Sequence, residues 1–315
     1  MLGILGGRVY DPQNGKDGEV ADVWIDDGRV VAPPPADERA RAEVVDASGL
    51  VVMPGGVDPH AHIAGGEVNA GRKLRPEDHR GRERALRGDL RSGTAGTNPT
   101  TLATGYMYSE MGYTTVMQAS AIPLVVRHAH EELEDTPNLD NGVYVVMGNN
   151  HFVMQAIADG EPERAKDYVA WLLNATQGYA IKIVNPGGVE NWKWGKNVSE
   201  LDDEVIGYGC TPRQIVQTLA WCADELKLPH SIHLHGINLG RSTSARTTIE
   251  TIKALDGHRA HLCHLQFLSY KSGPGHVHTS DAAAVAEAVN AASRLTVDVG
   301  QIVFGDATTM TCDGP

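Results

Sequence analysis

From Leu50 to the end of the chain, runs of aliphatic and β-branched residues alternate with stretches whose apolar positions recur every three or four residues. The first kind predicts buried strands and the second amphipathic helices, and their alternation is the pattern of parallel β/α units. The strand segments are 50–57, 113–119, 142–147, 179–184, 230–235, 260–265, 295–304 and 308–313. Segment 50–57 is apolar apart from its glycines and one proline, as a strand buried on both faces would be. Between the strands, 162–175 places Ala165, Val169, Leu172 and Leu173 on one helical face. Thr211 before Pro212 is a helix start, with Ile215, Leu219, Cys222 and Leu226 as the buried stripe. Asp281 is placed to cap a helix that buries Val285, Val289 and Ala292.

The beginning of the chain is different. Short strand-like segments at 4–10, 20–25 and 29–31 are separated by Gly, Asn and Asp turns, and Pro33, Pro34 and Pro35 open a charged surface loop reaching Glu43. The expected division is a small β lobe over 1–50 and an α/β domain over 51–315.

Composition narrows the function. A net charge of −13 with no basic tract excludes nucleic acid as an expected partner. No run of about 18 apolar residues is present and no basic-then-apolar leader opens the chain, so neither a membrane span nor export is expected and the default location is cytoplasmic. Cys210, Cys222, Cys263 and Cys312 are scattered with no Cys-x-x-Cys pair, which fits free thiols of a reducing compartment.

The 14 histidines carry the chemistry, because several fall where strands end. His60 and His62 are two residues apart, so in an extended chain their imidazoles share one side, as half of a typical zinc ligand set would. Three histidines, His230, His233 and His235, follow in segment 230–235, the last two at the same period. His233 is the expected ligand, His235 its neighbour, and His230 at the strand start a structural residue. Segment 260–265 adds His261 and His264, which at three residues apart are expected to point different ways, His261 away from the site. Lys182 stands in the apolar run AIKIV, where an unpaired cation is costly. Two readings follow: a salt-bridged structural lysine, or an uncharged amine that takes up carbon dioxide as a carbamate able to bridge two metals. Asp313, ending segment 308–313, is either a turn residue or a carboxylate that holds one metal and takes a proton from water.

Residues 7–11 (GRVYD), 21–30 (ADVWIDDGRV) and 44–62 (VVDASGLVVMPGGVDPHAH) resemble the opening of the amidohydrolase superfamily. That resemblance implies a (β/α)8 barrel with a small β-sandwich lobe and one or two metals at the strand ends. It also implies carboxylation of the fourth-strand lysine and a sixth-strand histidine, here Lys182 and His264. More specific strings run the length of the chain: VNAGRKLRPED (68–78), NPGGVENWKW (185–194), HLQF (264–267) and TMTCDGP (309–315). With the ligands they resemble the alpha subunit of formylmethanofuran dehydrogenase and its counterpart in the formyltransferase/hydrolase complex of methylotrophic bacteria. This implies one subunit of a multi-subunit complex that interconverts an N-formyl aminomethyl-furan carrier with formate and the free amine. The implied metal set is His60, His62, Lys182, His233, His264 and Asp313, holding two divalent ions, expected to be zinc, with Asp313 as the proton carrier. Arg72, Arg75, Asn185, Lys193 and Lys196 are candidates to bind the carrier, as are Trp192 and Trp194, which either stack on the furan or pin their loop. As loop cations, the arginines and lysines are equally explained by solvation. Chains of this type continue well beyond the position of Asp313, so a barrel truncated at its C-terminus, lacking its last helix, is expected. The rival readings are a cyclic amidohydrolase of dihydroorotase or hydantoinase type, which keeps the metal ligands but needs no Trp-Lys-Trp loop, and a non-catalytic scaffold subunit.

Overall fold

The computed structural model describes residues 1–66, 68–69, 101–276 and 278–300, and the chain divides into two units, Met1–Gly56 and Val57–Pro315. In the first unit β1 (Leu2–Asp11) pairs antiparallel with β2 (Lys16–Asp26), and β2 pairs antiparallel with β3 (Arg29–Val31). The β2–β3 turn has two residues, Asp27 and Gly28, at φ 45° and 71°. Positive φ at both positions matches the strand twist, and Asp-Gly is the pair that tolerates it. On its other side β1 pairs in parallel with β4 (Glu43–Asp46) and β5 (Val51–Val52). Trp24 is the buried centre of this sheet; a Cβ at Gly3 would lie 2.7 Å from its ring, so the small residue lets the indole lie flat.

The strand expected over 50–57 is therefore not one strand. Val51–Val52 completes the lobe sheet, and Leu50, Val51, Met53 and Val57 are exposed. Pro54 is the physical reason: with no N–H to donate it interrupts the ladder, and a new strand, β6 (Gly56–Ala61), begins beyond it.

The second unit is of the α/β class. Its sheet takes β6, β7 (Tyr113–Ala121), β8 (Asp140–Val146), β9 (Ala180–Val184), β10 (Ile232–His235) and β11 (Ala260–Leu262) in chain order. A short antiparallel pair, β12 (Tyr270–Ser272) and β13 (His278–Ser280), intervenes before β14 (Leu295–Val297) joins β11. From β7 onward the neighbours of the sheet are parallel. Helices between successive strands make these the β/α units that the alternating pattern predicts. Seven strands of this sheet lie among the described residues; the eighth segment, 308–313, and the end of 295–304 lie outside them. The sheet curls strongly: His60 on its first strand and Asp298, just past its seventh, are hydrogen-bonded at 2.7 Å, the approach of edges that barrel closure requires.

The helices form as their sequences dictate. Pro162–Thr176 buries Ala165, Val169, Leu172 and Leu173, the expected face. Pro212–Glu225 starts with a capping box in which Thr211 Oγ1 accepts from the Gln214 amide and Gln214 reciprocates, satisfying two of the amides that a helix start leaves open. It buries Ile215, Leu219 and Cys222. Asp281 sits at the start of Ala282–Ala291 but does not cap it; its carboxylate accepts from Lys271 Nζ at 2.5 Å instead. Among the described residues no helix is long and apolar enough to cross a membrane, and Cys210, Cys222 and Cys263 are free buried thiols.

Asp224 joins the helix Pro212–Glu225 to the approaches of β11 and β14. It accepts from Arg259 Nε at 2.6 Å and His258 Nδ1 at 2.9 Å, with Arg294 at 3.6 Å. Burial opposes its charge, but the bonds from Arg259 and His258 outweigh that and hold the carboxyl below its ordinary range. We predict that Asp224→Asn lowers stability by about 1.5–3 kcal/mol at neutral pH, the scale of hydrogen bonds to a charged group. The carboxyl pKa is depressed on folding, so this contribution is full above the unfolded value of about 3.9 and is lost as pH falls through the folded value. Denaturant titrations should show the gap between the two proteins narrowing as pH falls below about 4; a gap of constant size down through the folded value would contradict the assignment.

Candidate metal centre

Parallel register builds the site. Lys182 on β9 is paired with His233 on β10, His233 with His261 on β11, and His261 with Thr296 on β14. Residues in register across parallel strands face the same way, so these four side chains form one row across the sheet. His60 enters from β6 and His62 from just beyond it. The ring of His60 lies 4.8 Å from that of His233, 5.4 Å from His264 and 5.5 Å from His62, centre to centre. His235 packs edge-on to His264 at 4.5 Å. The sequence expectation that His261 points elsewhere is overturned: its ring stacks on His233 at 4.5 Å with the planes 8° apart. The reason is a left-handed turn at His264, φ 38°, which aims residue 264 back into the space that 261 already faces.

Among the described residues, ligand atoms of His60, His233, Cys263 and Asp298 lie within 4.8 Å of one another. His233 Nδ1 is hydrogen-bonded to His230 Nε2 at 3.1 Å, while its Nε2 is buried without a partner, as is Nδ1 of His264. Buried unpaired nitrogens are costly, and lone pairs converging on one space are the donor set of a divalent cation. The residues present therefore fit a metal. Lys182 is 1% exposed and donates to Cys263 Sγ at 3.3 Å. The salt-bridged alternative for this lysine finds no carboxylate partner among the described residues.

The electrostatics keep the imidazoles available as ligands. Burial, and the neighbouring Lys182 and histidines, hold His233 well below its ordinary pKa. The same causes lower His235 to about 3, and burial with His235 and Lys182 nearby lowers His264 to about 2. His60 is lowered by burial against the opposing bond from Asp298. Burial pushes the Cys263 thiol up to about 12 despite Lys182 beside it. Asp298 remains a carboxylate: burial disfavours its charge, but bonds from His261 and His60 outweigh it.

Asp298 and Cys263 are the site residues that sequence reasoning missed. Asp298 was hidden inside the long segment 295–304; β14 stops at Val297, which puts the aspartate at a strand end, where a (β/α)8 fold collects function. Of the expected carrier-binding residues, Lys193 pairs with both oxygens of Glu190 at 2.8 Å, and Glu190 also meets His151 at 3.2 Å. Trp194 is exposed, and Trp192 Nε1 is buried without a partner. Asn185 is buried in a left-handed conformation, φ 39°, and its amide donates to Asn197 at 3.2 Å. Lys196 is exposed on the same loop. Arg72, Arg75 and Asp313 lie outside the described residues.

A parallel, curled α/β sheet with histidines and a lysine at its strand ends defines the class. The chain belongs to the amidohydrolase family, whose model matches residues 43–314. Within it, the chain groups with two longer relatives. Protein FwdA of Methanocaldococcus jannaschii is 46% identical over 99% of this chain and 56% of the relative. The FhcA subunit of the formyltransferase/hydrolase complex of Methylorubrum extorquens is 39% identical over 98% of this chain and 56% of the relative. The chain thus spans about half the length of the curated relatives it matches. Among solved structures, the formyltransferase/hydrolase complex FhcABCD from Methylorubrum extorquens in complex with methylofuran superposes with a TM-score of 0.89 at 39% identity, covering 96% of this chain and 55% of that one. A D-hydantoinase from Bacillus sp. AR9 shares the fold alone, with a TM-score of 0.52 at 16% identity.

The neutral imidazoles predict a pH response. Their folded pKa values lie below the unfolded value of about 6.5, so below that pH the unfolded chain takes up protons that the folded site refuses. Each such ring lowers stability by about 1.4 kcal/mol per pH unit, down to its folded value, about 4 for His230 and about 3 for His235. Calorimetry on the metal-free protein should show the melting temperature falling steadily from pH 7 to pH 4.5. A flat profile would mean that the rings charge freely in the folded state.

Proposed function

We propose that the chain is the catalytic amidohydrolase portion of a formylmethanofuran-type enzyme, which cleaves the N-formyl group of a furan-bearing carrier to formate and the free amine, or joins them in reverse. The observation that carries this reading is the meeting of ligand atoms of His60, His233, Cys263 and Asp298, with unpartnered buried nitrogens on His233 and His264, in a chain similar over 98% of its own length to the FhcA subunit.

His60, His62, Lys182, His233, His264 and Asp313 would hold two divalent ions, zinc by the donor set. When bound, such ions acidify water and polarise a carbonyl. Lys182 would serve as a carbamate: in its place beside Cys263, a bare ammonium forms no ion pair among the described residues, and it would repel the ions. As a carbamate it carries one negative charge and two oxygens. Asp313 would take the proton of the attacking water and return it to the departing amine. Trp192, Trp194 and Asn185 would position the carrier on the loop beyond β9, and Arg72, Arg75, Lys193 and Lys196 would meet its acidic tail; Glu190 already neutralises Lys193, which leaves it a weaker anchor for an anion than an unpaired cation. The partners would be the other subunits of such a complex, in a reducing cytoplasm.

The rival cyclic amidohydrolase has one point in its favour. A dihydroorotase of Streptococcus pyogenes is 49% identical over 63 residues, yet this covers 20% of the chain. Assaying the purified complex against an N-formyl furan amine and against dihydroorotate and hydantoins separates the two. Formate release from the first alone is expected; turnover of cyclic amides would favour the rival, and a metal-loaded protein inactive on both would favour a scaffold.

Lys182→Ala should lose one or both metals and all formate release, and a short carboxylic acid such as acetate should restore part of each. A Lys182→Ala protein that keeps two metals without added acid would contradict the bridging role.

A further inference from the structure

We propose that Asp298 is the positioning residue of the metal centre, setting both the tautomer of His60 and the turn that aims His264. The inference rests on the metal reading above and adds a residue to it. Three donors meet this one carboxylate. Oδ2 accepts from His60 Nδ1 at 2.7 Å and from His261 Nε2 at 3.2 Å, and Oδ1 accepts from the backbone N–H of His264. Its own carbonyl does not stand apart from the site either, for it accepts from the Leu265 amide at 3.1 Å.

The chemistry follows from what a carboxylate lacks. An ionised Asp can only accept, so the His60 nitrogen facing it must be the one that carries hydrogen. His60 is thereby fixed as the Nδ1–H tautomer, and its Nε2 lone pair is left for the ion. An outer carboxylate of this kind also raises the basicity of the ligating ring. The second oxygen holds the amide of His264 where the chain turns left-handed, a conformation that a non-glycine residue adopts only at a cost. His261 completes the arrangement: its Nδ1 meets Thr296 Oγ1 at 2.8 Å, which keeps the other nitrogen of the ring directed at Asp298. The aspartate thus links β6, β11 and β14 through the residues that face the centre.

No isosteric amide can do this. An asparagine with its oxygen towards His60 sets its NH2 against the His264 N–H. Turned over, it sets its NH2 against His60 Nδ1 and His261 Nε2, and forces His60 to place its hydrogen on the nitrogen required by the metal. Asp298→Asn therefore loses one function in either orientation while keeping its shape.

The test is zinc titration of the intact, chelator-stripped protein, comparing wild type, Asp298→Asn and Asp224→Asn. The last variant loses a charged cluster of similar size that does not face the centre, so it reports merely structural damage. Asp298→Asn should bind zinc about 10- to 100-fold more weakly, the usual cost of losing an outer partner, and Asp224→Asn should bind as wild type does. A folded Asp298→Asn with wild-type affinity, or equal losses in both variants, overturns the proposal. A wild type that binds no zinc sinks the metal reading instead. In that case, or if Asp298→Asn fails to fold, nitrogen-15 spectra of histidine-labelled, metal-free wild type decide: His60 with hydrogen on Nδ1 supports the role, and hydrogen on Nε2 refutes it.

Discussion

The crowding of uncharged imidazoles around one buried lysine is the constraint on which the rest of this domain turns. Five histidine rings, His60, His62, His233, His235 and His264, lie 4.5 to 5.5 Å from their neighbours, close enough that charging one disfavours charging the next. The rings stay neutral because burial and Lys182 both oppose protonation, and neutrality is what makes them ligands. Such a cluster would be a liability in a domain built for stability alone, because its buried nitrogens His233 Nε2 and His264 Nδ1 have no protein partner.

Much of this was legible in the chain. Period-two spacing placed His60 beside His62 and His233 beside His235, and the observed register puts Lys182 level with His233. Helix faces at Ala165, Val169, Leu172 and Leu173, and the capped start at Thr211, follow from local rules that tertiary structure did not override. Resemblance to amidohydrolases supplied the sixth-strand histidine, which spacing alone would not have chosen over His261.

The rest was hidden for physical reasons. Strand ends are set by where the ladder stops, and nothing local in TVDVGQIVF marks Val297 as the last paired residue. Asp298 consequently looked like the middle of a strand. The left-handed turn at His264 changes the parity on which face assignments rest, so His261 and His264 both reach the centre. Cys263 looked like a scattered thiol until the fold brought it 3.3 Å from Lys182. At the other end, Pro54 split an apolar run that composition alone would join.

The fold accounts for a cluster of buried side chains fit to hold a metal. Glu190, His151 and Lys193 tie down the loop after β9, next to the strand that carries Lys182. The most direct test of the central claim is anomalous diffraction at the zinc edge from crystals of the native complex. The account predicts two peaks about 3.5 to 4 Å apart, the spacing of a two-metal site, both touching an enlarged Lys182 side chain, with His233 on one of them. A single site remote from Lys182, or an unmodified amine still bonded to Cys263 with the metals in place, would contradict it.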